Sequence, residues 1–517
     1  MAEEGRVAAA LKATSLNIIL HISMRICTFV LNAFILRHVT KYSFGVINVR
    51  LMLLFSTIHF LASEPFRRAC CTNTSHHKWP KVITLSWLSV PLAAVVGAVL
   101  SLLWVHGLES PEDPTYPAAV LVTFIAAIIE VSAEPMFIVG CASGYVKFKV
   151  FAEGSALAFR CISMSLLIVM DPDNALMAYA ISQLLSSVYF SLVFYVYFHY
   201  VCSRKLDKAL PIARISQMLP SLEGVDRRVG SLAASFMKQT VFKQVLTEGE
   251  RYVMTTFCVI DFASQGVYEA VNNLGSLAAR YIFQQVEENG YLLFGQILSR
   301  GDARKKSDVL LGAEILSNLL KLMLIVALII VAFGQAYSGT LLYLYAGESL
   351  LPLGKTLMRF HCVYIAFIAI NGITECFVFA TMTKDQLDEH NRKMAMCSIV
   401  FLVASYAFSK VFGAVGLILA NMVNMSLRVV LSFIYIREHH KGVGVDIIAQ
   451  SIPDCRVIAM LVFSCGCCLV SEFFVGEIML LHILFGGILF ILSLLTLFFF
   501  ERDLKAFIQR SLIEKRI

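Results

Sequence analysis

The sequence predicts an all-α membrane protein with about 14 transmembrane helices, and three observations predict it. Of 517 residues, 58% are hydrophobic and 15% are Asp, Glu, Lys or Arg, where soluble domains carry roughly 25% charged residues. The mean hydropathy is +0.75. Long apolar runs recur along the whole chain, each near the ~20 residues that an α-helix needs to cross a bilayer. A soluble chain of this length could not hide so much apolar surface. A soluble enzyme, a disordered scaffold and a disulfide-rich secreted module are therefore excluded.

Taken in order, the runs place spans near 14–36, 44–63, 82–105, 117–141, 150–170 and 175–201. A polar stretch follows at 203–235. Further spans fall near 236–260, 266–298, 309–334, 357–382, 393–411, 413–436, 456–475 and 477–500. The expected organisation is an N-terminal six-helix lobe (1–202), a cytoplasmic linker (203–235), a second six-helix lobe (236–438) and two additional helices with a tail (439–517). The polar start and the long first run argue against a cleavable signal peptide.

The loops alternate in charge. Those at 67–81, 145–149, 203–228, 299–306, 384–393 and 437–441 are basic. Those at 106–116, 171–174, 261–265 and 471–477 hold acids and no Lys or Arg. By the positive-inside rule both termini are expected in the cytoplasm, with Arg37 and Lys41 as exceptions. The net charge of +7 thus reads as topology, and no nucleic-acid surface is expected. The Asn73-Thr74-Ser75 sequon falls on the cytoplasmic side, so no glycan is expected there.

The halves look related. Gly45-Val46 opens the second span and Gly266-Val267 the eighth; Glu134-Pro135 in the fourth is matched by Glu375-Cys376 in the tenth. That order suggests a parallel repeat, as in two-lobed transporters.

Ionisable groups inside spans cost a few kcal/mol each and usually face a cavity or a partner. Here they form stripes. Asn17, His21, Arg25, Thr28 and Asn32 share a face of the first span. Arg50, Thr57, Glu64 and Arg68 do so on the second, and Glu269, Asn273, Ser276, Arg280, Gln284 and Glu287 on the eighth. At 3.6 residues per turn each set stays within about 80° of arc. A wet groove between two lobes accounts for them. In the seventh span Lys238, Lys243, Glu248, Glu250 and Arg251 crowd together, and Glu248 and Arg251 are spaced to pair within the helix. Glu130, Glu134 and Glu375 are carboxylates that either pair structurally with Arg or hold a coupling cation. Pro135 is expected to interrupt the helix beside them.

Other chemistry is not expected. Cys465-Gly-Cys467-Cys468 lies in an apolar run without a polar second shell for zinc. Gly347 to Thr356 has the wrong spacing for a phosphate loop. No metal site, cofactor or catalytic residue is expected.

The segment Phe242-Lys-Gln-Val-Leu-Thr-Glu-Gly-Glu-Arg-Tyr-Val-Met254, with Gly266 to Arg280, Thr28 to Arg37, Asn48-Val-Arg50, Phe66 to Cys70 and Ala369 to Phe377, resembles the eukaryotic Rft family of dolichol-linked oligosaccharide translocation proteins. These blocks span most of the first twelve helices. The resemblance implies the fold of the multidrug/oligosaccharidyl-lipid/polysaccharide flippase superfamily, with two six-helix bundles around a central cavity. It implies an endoplasmic reticulum location, and delivery of a five-mannose, two-N-acetylglucosamine diphosphodolichol to the lumenal leaflet for N-glycosylation. Membrane lipid is the surroundings, and no protein partner is specified.

Arg suits a diphosphate, because its planar fork donates two hydrogen bonds and keeps its charge. Arg25, Arg50 and Arg280 are therefore the expected cradle, as on the same spans of lipid II flippases, which this pattern resembles, with Lys243 and Arg251 in reserve. Asn32, Asn273 and Gln284 are candidates for sugar hydroxyls. Glu130, Glu134, Glu248, Glu250, Glu287 and Glu375 are structural or coupling carboxylates. The competing readings are a non-transporting accessory protein of the same pathway, a cation-coupled antiporter and, more remotely, a membrane glycosyltransferase.

Overall fold

The computed structural model describes residues 29–72, 77–204, 210–212, 214–221, 224–298, 306–441, 446–476, 478–502 and 504–506. Among them every regular element is helical. Arg25, the rest of the first stripe before Asn32, and the Asn73 sequon lie outside the described residues.

The chain divides into two compact units at Gly266/Val267. The first contains α1 (Phe29–His38), α2 (Lys41–Gly45), a π-helical turn (Val46–Leu51), α3 (Met52–Cys70), α4 (Trp79–Ser86) and α5 (Ser89–Leu102). A second π turn (Leu103–Gly107) precedes α6 (Tyr116–Val131), α7 (Glu134–Ala142), α8 (Val146–Met170) and α9 (Ala175–Arg204). Then come α10 (Arg227–Thr247), α11 (Gly249–Phe257) and the start of α12 (Phe262–Gly275). Helix α3 is central and packs on α5, α6 and α10. Phe66 and Ala69 of α3 share a core with Val229 and Ala233 of α10. Phe190, Phe194 and Phe198 of α9 fill the space against α7 and α8.

The second unit holds the remainder of α12, a π turn (Ala279–Phe283), α13 (Gln284–Ile297), α14 (Lys306–Ala346), α15 (Leu353–Thr381), α16 (Lys384–Phe412), α17 (Ala414–His439), α18 (Ile447–Ser451), α19 (Cys455–Val475) and α20 (Met479–Phe500). Its core joins Phe283, Phe294, Leu316, Ile373 and Phe377. Helices α19 and α20 dock on α14 through Ala332, Val457 and Leu461, and through Ala336, Cys468 and Leu489. Charge fixes them at both ends. Glu472 pairs with Lys355 and Arg359, each at 2.6 Å, and Glu501 lies 3.7 Å from Lys321. Phe473 and Phe474, 84% and 77% exposed, face outward as lipid-solvated helices allow.

Eleven helices among the described residues are long and apolar enough to cross a membrane. Three of the spans expected from sequence are not among them. The first lies mostly outside the described residues. The seventh is split at Glu248 into α10 and α11, and the eighth into α12, a π turn and α13. Both are helical but polar, because they carry the charges that the sequence analysis singled out. Pro135 sits in the first turn of α7, where its missing N–H costs nothing, so the fourth span is also segmented.

Candidate functional site

Arg67 grips Glu134 bidentately, with Nε donating to Oε2 at 2.8 Å and Nη2 to Oε1. Glu134 is 1% exposed. A charge buried this deeply persists only when paired. The imidazole of His59 stands between two carboxylates, 3.8 Å from Glu130 and 3.7 Å from Glu134. A chain of hydrogen bonds leads away from Glu130. Ser187 donates to it at 2.8 Å, Gln183 donates to Ser187 at 3.3 Å, and Arg160 donates to Gln183 at 2.7 Å. Also on α3, Glu64 takes Arg68 at 2.8 Å and Lys243 at 3.4 Å. Thr57 meets the Tyr252 hydroxyl at 2.7 Å and accepts from Gln244 at 3.3 Å, tying α3 to α10 and α11. Glu248 pairs with Arg251 at 3.0 Å across the break between α10 and α11.

Arg50 is fully buried. It lies in the π turn that opens the second span. Its Nη2 is 3.8 Å from Cys258 Sγ, its guanidinium is 5.4 Å from the Phe262 ring, and Nε and Nη1 meet no acceptor among the described residues. Trp104 donates its indole N–H to the Arg50 carbonyl at 3.0 Å. Cys258 ends α11 at φ 47°, in the left-handed region that an L-residue enters at some cost.

The second unit repeats one part of this chemistry. Arg428 grips Glu375 with two bonds of 2.7 Å. Glu287 lies in the space that a side chain on Gly372 would need, within Coulombic reach of Glu375. The Cys376 thiol donates to the Glu287 carbonyl at 3.2 Å. Buried His390 is within Coulombic reach of Glu375 and Arg428. Each unit therefore has an Arg-clamped glutamate with a second carboxylate and a histidine nearby.

Arg280 lies in the π turn before α13. It is exposed, and has no carboxylate partner among the described residues. Asn273 is half-buried on α12, and Gln284 is exposed and bonds Glu288 at 2.9 Å. Asn32 is exposed on α1. Glu250 is half-buried in the first turn of α11.

Of the expected cradle, then, Arg25 is outside the described residues, Arg50 is sealed inside the first unit, and Arg280 is open. Lys243 and Arg251 are engaged by Glu64 and Glu248. Sequence reasoning missed three groups that build the site. The basic run at 67–81 makes Arg67 look like the start of a loop, yet α3 runs on through Cys70. His59 stands off the stripe of its helix. Arg428 is a single arginine in an apolar span, and the rule that flagged Arg25 would have found it. Among the described residues no group of His, Cys, Asp and Glu could hold a metal ion.

The sequence profile described as Rft protein matches residues 9–511. A relative from Xenopus tropicalis, "Man(5)GlcNAc(2)-PP-dolichol translocation protein RFT1", is 38% identical over 524 residues, covering 98% of this chain and 97% of its own. The protein of that name from Mus musculus is also 38% identical, with the same coverage. Among solved structures, the lipid II flippase MurJ in an inward closed conformation aligns with a TM-score of 0.63 at 14% identity, covering 95% of this chain and 99% of that one. An inward-facing multidrug resistance MATE family transporter of the MOP superfamily gives 0.55 at 13% identity, covering 82% and 94%. At those identities the likeness shows a shared fold.

Proposed function

This chain belongs to the Rft protein family, and we propose that it moves a Man5GlcNAc2-diphosphate-dolichol from the cytoplasmic to the lumenal leaflet of the endoplasmic reticulum membrane for protein N-glycosylation. One observation carries the reading: two relatives named for translocation of that lipid match 98% of the chain at 38% identity. The protein acts as a transporter and not as an enzyme. It has fourteen spans in two six-helix bundles plus two helices, and both termini are cytoplasmic.

The cargo couples a dianionic diphosphate to a polar glycan and a long apolar tail. The tail needs no enclosed pocket, since lipid solvates it. The headgroup needs a cation that is not already committed to a carboxylate. Arg280 meets that condition, and Arg25, on the stripe of the first span, is proposed as its companion. Asn32, Asn273 and Gln284 supply hydrogen bonds around the headgroup. Lys243 and Arg251 are assigned to the internal pairs of the first unit, and Arg50 to its buried packing. Glu134, Glu248 and Glu375 hold the helices in register by pairing with Arg67, Arg251 and Arg428, Glu130 does so through Ser187, and Glu250 and Glu287 are kept as structural or coupling carboxylates.

The test is binding of a water-soluble, short-chain analogue of the oligosaccharide diphosphate lipid to the purified protein. Losing one charged hydrogen-bond pair costs about 1.5–3 kcal/mol, so Arg280→Ala should weaken binding roughly ten- to hundredfold, with the thermal midpoint unchanged. Unaltered affinity in both Arg280→Ala and Arg25→Ala would remove these two residues from the headgroup site.

A further inference from the structure

The first unit contains a cavity of about 300 Å³ that the diphosphate-binding account does not use. It lies where α2, the loop after the second π turn and the first turn of α12 meet. Its walls include Tyr42, Glu109, Cys258, Asp261, Phe262 and Gln265. The backbones of α2 and α12 cross here at Gly45 and Gly266, so closely that a Cβ on Gly45 would strike the Phe262 carbonyl and one on Gly266 the Lys41 carbonyl. That contact sets Tyr42 against Phe262, edge to face with centroids 5.5 Å apart.

The lining is rich in acceptors. Gln265 is 1% exposed; its amide nitrogen donates to the Ile260 carbonyl at 2.9 Å, and its carboxamide oxygen has no partner among the described residues. A buried acceptor left empty costs about the full desolvation of the group, so it points to a donor supplied from outside. Asp261 receives the Ser264 N–H at 3.1 Å. Burial pushes the Asp261 carboxyl up, but hydrogen bonds from the Ser264 hydroxyl and backbone N–H outweigh this and hold it below the usual range. It is therefore an ionised acceptor at neutral pH. Glu109 adds a second carboxylate. The Tyr42 oxygen already accepts the Glu112 N–H at 2.9 Å, which leaves its O–H to donate.

Among the described residues no Lys, Arg or His lines the cavity. The Arg50 guanidinium is sealed behind Cys258. Two carboxylates without a lining cation repel a phosphate. What fits carboxylate and amide acceptors, one phenolic donor and two aromatic rings is a neutral ring bearing several hydroxyl groups. We propose that this cavity is a saccharide subsite that receives one pyranose of the transported glycan. The inference rests on the oligosaccharide-lipid reading and deepens it. Glu109 and Asp261 lie on loops without Lys or Arg, the side that the charge rule assigns away from the cytoplasm. The subsite therefore stands on the side of delivery and holds the sugar after the headgroup has crossed.

The test is saturation-transfer NMR of the purified full-length protein with the free Man5GlcNAc2 glycan, which carries neither phosphate nor lipid. Wild-type protein should bind it saturably. Glu109→Gln, at an exposed loop position that tolerates change, and Asp261→Asn should each weaken binding about tenfold, and Gln265→Leu should do the same if its thermal midpoint is retained. Binding that is equal in wild type and in Glu109→Gln and Asp261→Asn would overturn the subsite, as would no binding to wild type. So would displacement of the glycan by an organic ammonium ion such as choline, which would make the cavity a cation site. Leaflet exchange of the full oligosaccharide lipid by the same wild-type preparation separates these failures from failure of the transport reading.

Discussion

Arg67 and Glu134 show what a buried charge demands. An unpaired carboxylate at 1% exposure would be neutralised or expelled, so the guanidinium that grips it is a condition of folding. Removing one partner of a buried pair costs about 3–5 kcal/mol, while replacing both by apolar groups is often neutral. Arg67→Ala and Glu134→Ala should each lower the thermal stability of the detergent-solubilised protein by that order, and Arg67→Met with Glu134→Leu should recover most of it. The same cycle at Arg428 and Glu375 should behave alike. Additive losses in either double variant would mean that the pair is not the unit of stability. The sequence disclosed Glu134 and Glu375 because carboxylates in apolar runs stand out. It did not disclose their partners. Arg67 sits beside Arg68 at the end of a span and reads as a loop charge, and only the course of α3 turns it inward.

Among the elements, long apolar helices were legible and broken ones were not. A run such as 306–346 can satisfy its backbone only as a helix in lipid, so α14 is written in its hydropathy. The π turns that carry Arg50 and Arg280 leave no comparable trace, since one extra residue in a turn changes neither composition nor length. Stripes drawn at 3.6 residues per turn therefore drift past each π turn. The stripe of the second span suggests an open face, yet Arg50 and Thr57 are both buried, against Cys258 and Tyr252. The α2–α12 crossing was legible only as a repeated Gly-Val pair. Its reason is steric: Gly45 lies against the Phe262 carbonyl and Gly266 against the Lys41 carbonyl. Gly45→Ala or Gly266→Ala should cost about 1–3 kcal/mol by overpacking, whereas Gly487→Ala, which opens onto free space, should leave the thermal midpoint unchanged. Equal tolerance at all three would contradict the crossing.

For the whole molecule, composition excluded everything but a polytopic membrane protein, and charge alternation supplied an expected orientation. The likeness to MurJ over 95% of the chain extends the fold to the last two helices, which hydropathy alone had marked. Their attachment through Glu472 and Glu501 was not legible, because Lys355, Arg359 and Lys321 lie more than a hundred residues away in sequence. The central claim is that the protein itself moves the lipid. It is tested most directly by reconstituting the purified chain into liposomes with the defined Man5GlcNAc2-diphosphate-dolichol and following glycan accessibility in each leaflet. The account predicts faster leaflet exchange than in empty liposomes, and its loss in an Arg25→Ala/Arg280→Ala double variant that still folds. Exchange no faster than in protein-free liposomes would contradict it.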